Sequence, residues 1–143
     1  MRIVQTGDLA TCLALRRKVF IEEQAVPESD EIDGLDAAAT HLLALDDGRP
    51  VGTARLLVKS DAGKIGRVCV LPEARGRGIG AALIRAAVED FRSRHGIRRV
   101  RLSAQTHALD FYARLGFRAE GPEYLDAGIP HRDMELRLTD APP

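Results

Sequence analysis

Val68-Cys69-Val70-Leu71-Pro72-Glu73-Ala74-Arg75-Gly76-Arg77-Gly78-Ile79-Gly80-Ala81 joins an apolar run to a turn with three alternate glycines and then to the start of a long helical pattern. Pro72 ends the strand, because proline has no N–H to give a ladder. Downstream, Ile79, Ala82, Leu83, Ala86, Ala87, Asp90 and Phe91 share one face at helical spacing, with one polar member. Arg92, Arg94 and His95 suit the negative end of that helix, and Gly96 is a good terminator. The spacing therefore predicts a helix from about Gly78 to His95. Its first turn has backbone N–H groups without internal partners and carries about half a positive charge. Glycines let a bulky anion approach those donors. Arg75 and Arg77 add cations where the fixed charge is already positive, which is unfavourable until an anion arrives. The unit predicts a phosphate site.

Outward from this unit the elements alternate. Arg2 to Gln5 is a short opening strand, and Asp8 caps a helix running to about Gln24, with Pro27 beyond its end. Val26 to Ala39 is an acidic stretch holding Glu28, Asp30, Glu31, Asp33 and Asp36. A loop of that length is functional or mobile, or else a solvated linker. His41 to Leu45 and Pro50 to Val58 are strands joined through an Asp-Gly hairpin signal, and Lys64 to Leu71 is the next strand. Arg98 to Ala104 is a strand, Leu109 to Leu115 a short helix ended by Gly116, and Phe117 to Glu120 and Arg132 to Leu138 are closing strands. The order implies an α/β or α+β layer fold. With 143 residues the expectation is one domain over 1–140, large enough to bury roughly 70% of its unfolded surface, and a frayed tail over 141–143.

The composition is that of an ordinary globule, 45% apolar and 29% charged. Lysine plus arginine equals aspartate plus glutamate at 21 each, which argues against a dedicated nucleic-acid binder. Two cysteines, Cys12 and Cys69, sit in apolar patterns and suggest neither a disulfide framework nor a metal site. The N-terminus turns polar too soon for a secretory signal, and no apolar run approaches a membrane span. The cytoplasm is the expected compartment, with no membrane partner.

Two other phosphate motifs fail. Gly76-x-Gly78-x-x-Ala81 loosely matches a dinucleotide fingerprint, yet Ile97-Arg98-Arg99-Val100-Arg101 has no carboxylate for a ribose. No Gly-Lys-Ser/Thr follows, so the turn is not a P-loop.

Arg75-x-x-Gly78-x-Gly80 after Val-x-Val-Leu-Pro resembles the motif of the GCN5-related N-acetyltransferases. A second segment, Ala104-Gln105-Thr106-His107-Ala108-Leu109-Asp110-Phe111-Tyr112-Ala113-Arg114-Leu115-Gly116-Phe117, is similar to that family's Asn-x-x-Ala followed by Phe/Tyr-Tyr-x-x-Leu-Gly-Phe, with Gln105 where asparagine often stands. Val19-Phe20-Ile21-Glu22-Glu23-Gln24, Gln105-x-His107 and Gly128-Ile129-Pro130-His131 resemble its small ElaA-type branch. The resemblance implies a mixed, mostly antiparallel sheet of about six to seven strands flanked by helices. It implies acetyl-CoA as co-substrate and a small-molecule or peptide amine as acceptor. Val68, Cys69 and Val70 would line the acyl carrier. Arg75, Gly76, Arg77, Gly78, Ile79, Gly80 and Ala81 would hold the phosphates, with Gln105 and Phe111 beside the coenzyme. Tyr112 would protonate the leaving thiolate. Edge strands of this fold also allow a homodimer.

The expected reaction is direct attack of a neutral amine on the thioester. An amine with pKa near 10 must first lose a proton. Glu22, Glu23, Glu31, Asp33, His41, His107 and His131 are candidates to take it. Glu31 in the acidic loop, and His131 in what reads as a Gly-Ile-Pro-His turn, are carried forward as catalytic candidates beside Tyr112. The backbone N–H near Val70 would stabilise the oxyanion. The acidic loop favours a cationic acceptor, whereas Arg16, Arg55 and Arg67 favour an anionic one. Alternatives are an acyl-CoA-binding module without turnover, a nicotinamide-binding domain, and a relative of the acyl-homoserine-lactone synthases.

Overall fold

In the computed structural model, which describes residues 1–138, seven strands form one sheet in the order β1-β2-β3-β4-β5-β7-β6. The strands are β1 (Arg2–Thr6), β2 (Thr40–Asp46), β3 (Arg49–Lys59), β4 (Ala62–Val70), β5 (Arg99–Gln105), β6 (Arg118–Asp126) and β7 (Ile129–Arg137). Every neighbouring pair is antiparallel except β4 and β5. The tail predicted over 141–143 lies outside the described residues.

Helix α3 (Ile79–Arg92) makes the crossover between those parallel strands. Ile79, Leu83, Ala87 and Phe91 bury the predicted face, but the buried stripe turns toward Ile84 and Val88, while Ala82, Ala86 and Asp90 stay only half-buried. The buried residues pack on Leu42, Ala44, Ala54, Leu56 and Ile65, and on Val100, Leu102, Ala104 and Met134. Phe91 is fully buried, worth roughly 2–3 kcal/mol of transfer free energy. Its ring lies against β4 at Gly63, where an added Cβ would come within 2.4 Å of it. Helix α1 (Leu9–Arg16) covers the other face with Cys12 and Leu15, joined by Val19, Leu43, Cys69 and Leu71. Asp8 caps it by accepting from the Thr11 N–H at 3.2 Å. The helix then widens over Arg17–Glu23, where the Gln24 N–H reaches back five residues to the Val19 carbonyl. Short helices α2 (Glu28–Glu31) and α4 (Leu109–Arg114) complete the layers.

Two irregularities position the site. In the first, Gly66 pairs with Arg55 and Cys69 with Thr53, so Arg67 and Val68 together face Ala54. This bulge, with Arg67 at φ 50°, inverts the alternation of β4. Beyond it Cys69 faces α1, while Val68 and Val70 pack on the α3 side. In the second, β4 and β5 pair only from Ala62–Arg99 to Ile65–Leu102 and then diverge.

The closing hairpin is longer than the sequence suggests. β6 reaches Asp126 and β7 begins at Ile129, so His131 lies in a strand opposite Gln105 rather than in a turn. Gly121, Pro122 and Pro130 mask the strand pattern, and an irregularity between Glu120 and Tyr124 absorbs them.

Candidate functional site

The divergence of β4 and β5 opens a gap whose β4 lip carries backbone polarity that no strand takes up. The Leu71 N–H donates to the Val51 carbonyl on β3 at 2.8 Å. Backbone groups alternate sides along a strand, so the N–H and C=O of Val70 face away from β3, into the gap. Arg75 Nε donates to that Val70 carbonyl at 3.0 Å.

Past Val70 the chain makes one turn over Pro72–Ala74 and then enters the glycine loop. Gly76 and Gly78 both take φ 77°, and Gly78 caps α3 in the left-handed region without a side-chain hydrogen bond. Side chains rarely adopt that conformation, and a Cβ at either glycine would meet open space. The first turn of α3 therefore presents bare N–H groups at an open surface. Gly80 closes the loop beside Val70 and Phe111, 3.9 Å and 3.6 Å from where its Cβ would stand.

Both loop arginines already hold carboxylates. Arg75 grips Glu23 with two parallel bonds, Nη1 at 2.6 Å and Nη2 at 2.5 Å. The pairing lowers the Glu23 carboxyl below its ordinary range and raises Arg75. Arg77 Nη1 meets Asp46 at 2.8 Å and lowers that carboxyl likewise.

On the opposite lip, Gln105 Nε2 donates to Gln24 Oε1 at 3.1 Å, and its own Oε1 accepts from His107 Nε2 at 2.7 Å. His131 Nδ1 lies 2.6 Å from the Ile129 carbonyl. A carbonyl only accepts, so Nδ1 carries a proton, and the neutral ring keeps its lone pair on Nε2. The ring stacks on Tyr124, whose hydroxyl donates to Asp133 at 2.6 Å and meets Ser103. Tyr112 on α4 packs edge-on against Phe111 and Phe117, at 5.0 and 6.2 Å between centroids. Burial pushes its hydroxyl up to about 12.

The family described as "Acetyltransferase (GNAT) domain" matches residues 9–138. The chain belongs to the GNAT acetyltransferase family. The uncharacterized N-acetyltransferase YjcF of Bacillus subtilis is 40% identical over 121 residues, which are 84% of this chain and 86% of that one. An acyl-CoA N-acyltransferase from Pseudomonas aeruginosa superposes with a TM-score of 0.84 at 35% identity, covering 94% of this chain and 97% of that one. Escherichia coli ElaA does so with a TM-score of 0.82 at 30% identity and the same coverage. These likenesses agree with the ElaA-type segments around Glu23, Gln105 and His131.

Within this GNAT domain the acidic loop has a different place from the one its composition suggests. Glu31 is 3% exposed and accepts from Arg16 Nε at 2.5 Å, with Arg67 Nε at 3.6 Å. Asp36 takes both Arg16 Nη groups, at 2.7 and 3.2 Å. Asp33 takes Arg55 in two bonds of 2.8 Å, and Arg67 at 3.2 Å. Hydrogen bonds from Arg55 hold Asp33 far below the usual carboxylate range. Three arginines thus neutralise three loop carboxylates. Buried between Arg16 and Arg67, the Glu31 carboxylate is closed off from an incoming amine. Arg67 is sequestered too: burial and the neighbouring Arg55 charge lower its affinity for its proton. Cys69, pushed up to about 12 by burial, packs beneath α1 and has no thiolate to offer.

Sequence reasoning passed over Gln24, Asp46 and Tyr124. Gln24 stands beside Glu23 in the ElaA-like segment, which was the available signal. Asp46 and Tyr124 act through partners 31 and 21 residues away, and no local pattern marks them.

Proposed function

We propose that this GNAT protein transfers the acetyl group of acetyl-CoA to a primary amine of a small molecule or peptide by direct attack. The observation that carries this reading is the continuity of the gap. It runs from the backbone of Val70 to the uncapped start of α3, the two places where a pantetheine arm and its diphosphate would lie.

The backbone N–H groups from Arg75 to Ala81 hold the diphosphate, with Arg75 and Arg77 neutralising it. Val68, Cys69 and Val70 line the arm with backbone, and Gln105 and Phe111 border it. When bound, acetyl-CoA supplies an activated thioester carbonyl. Val70 aims its N–H at the oxygen that becomes negative as nitrogen attacks. His131 Nε2 takes the proton that nitrogen must lose, directly or through water. Tyr112 keeps its proton throughout the neutral range, because burial pushes its hydroxyl up to about 12. An ordinary thiol titrates near 8.5, so full transfer from Tyr112 to sulfur is uphill. Its part is to donate a hydrogen bond to the departing thiolate as the C–S bond breaks. Glu31 fixes Arg16 and Arg67 beneath α2 and takes no part in proton transfer. The single continuous sheet supports one catalytic domain over 1–140, and two free buried cysteines suit a reducing, cytoplasmic setting.

The test is release of free thiol from acetyl-CoA across a panel of amines. Cys12 and Cys69 are buried and add little to such an assay. Tight CoA binding without release for any amine would favour a non-catalytic acyl-CoA-binding module. Tyr112→Phe removes one hydrogen bond to a charged group and lowers turnover about ten- to hundredfold, with the acetyl-CoA dissociation constant unchanged. Intact turnover would remove Tyr112 from the mechanism.

A further inference from the structure

The widened end of α1 bridges both lips of the gap. Glu23 reaches Arg75 just past β4, and the adjacent Gln24 reaches Gln105 at the end of β5. Three of the five N–H donors of the Arg75 guanidinium are engaged. Its outer edge, Nη1 with Nη2, is filled by the two Glu23 oxygens. The Nε of its side edge is given to the Val70 carbonyl. A guanidinium binds a phosphate most strongly through two parallel donors, and no such pair of donors is free here. The pair is also accessible, with Arg75 41% and Glu23 38% exposed, so its partner can be exchanged.

We propose that Glu23 is a positioning residue that competes with the diphosphate of the donor for Arg75. The inference rests on the assignment of the glycine loop to the diphosphate. In the free protein the Glu23 carboxylate occupies the guanidinium and keeps Arg75 on the Val70 carbonyl. An arriving diphosphate takes Arg75 by exchanging one anion for another. Arg75 then leaves the β4 lip, exposing the Val70 carbonyl to the donor's arm. Glu23 is released at the end of α1, next to Gln24 and the Gln105–His107 pair. Donor binding thus places a free carboxylate beside the opposite lip, suited to a cationic amine.

Calorimetric titration of CoA tests the exchange without any acceptor. Glu23→Gln removes the competitor, and an exposed pair of this kind is worth enough to tighten CoA binding about two- to fivefold. Arg75→Met supplies the control, because loss of a negative charge near an anion site could tighten binding by itself. In the Arg75→Met background, Glu23→Gln leaves CoA affinity unchanged. Unchanged or weaker binding by the single Glu23→Gln variant overturns the exchange. So does a gain of equal size that persists without Arg75. Failure of the wild-type protein to bind CoA overturns the loop assignment itself. Binding by wild type without a gain in Glu23→Gln removes the exchange alone.

Discussion

Two clusters of arginine and carboxylate flank the gap, built from the same chemistry and differing in burial. Beneath α2, Arg16 is 1% exposed and Glu31 3%, and Asp33 and Asp36 complete their shells with Arg55 and Arg67. At the glycine loop, Arg75 and Glu23, and likewise Arg77 and Asp46, meet partly exposed to water. A buried pair strengthens its partners' attraction and makes each partner costly to lose. An exposed pair is weak and screened by salt, so another anion can replace half of it. Burial thus separates ion pairs that fix the acidic loop from ion pairs that can be traded for a ligand.

The largest expected effect tests the buried side. Arg16→Met leaves Glu31 and Asp36 charged with their main partner gone, and costs about 3–5 kcal/mol in urea unfolding. A loss below about 1 kcal/mol would place this cluster with the exposed pairs and break the comparison. Next comes the loop. Gly78→Asp puts a carboxylate where the phosphates are assigned, and CoA binding weakens roughly ten- to hundredfold, or about 1.4–2.7 kcal/mol. Aspartate tolerates the left-handed conformation better than most side chains, so the protein stays folded and the change is one of affinity. Unchanged affinity would reject the loop as the anion site.

The response to acid sharpens the contrast. Hydrogen bonds from Arg55 lower Asp33. Burial raises Asp36, but its bonds to Arg16 and Arg55 outweigh that and leave it lowered as well. A carboxyl lowered in the folded state adds stability that is complete above its unfolded pKa, near 3.9, and lost as pH falls through the folded value. Stability owed to these groups therefore holds from pH 7 to about pH 5 and falls below about pH 4, by roughly 1–2 kcal/mol. Asp33→Asn flattens part of that slope in thermal melts between pH 5 and 2. An identical slope in the variant would mean that Asp33 is not held by Arg55 in solution.

The same contrast explains what was legible beforehand. The strand–turn–helix unit was readable because its causes are local: Pro72 stops β4, Gly78 turns the chain, and the spacing of α3 is carried by one face. The hairpin at Asp47-Gly48 was equally local, with both residues at positive φ. The acidic loop reads in sequence as functional, mobile or a solvated linker because its partners Arg16, Arg55 and Arg67 lie 15 to 36 residues away. Glu31 looked like a base for that reason alone. His131 was expected in a turn because proline and glycine outweighed the strand pattern, although its partner strand buries it. The loop arginines were expected to be free cations, since nothing local to Arg75 announces Glu23, 52 residues earlier.

The smallest effect is the most discriminating for the exposed side. Asp46→Asn breaks the contact to Arg77 at the end of β2, where both side chains reach water. An isolated exposed pair costs nearly as much entropy to hold as it returns in attraction. The urea midpoint of this variant should therefore coincide with that of the wild type, at low and at high salt. A drop approaching that of Arg16→Met would mean that the loop arginines are also structural pins. Arg77 could then not reach a diphosphate without cost to the fold, and the division between fixed and exchangeable pairs would fail at the site where the donor is placed.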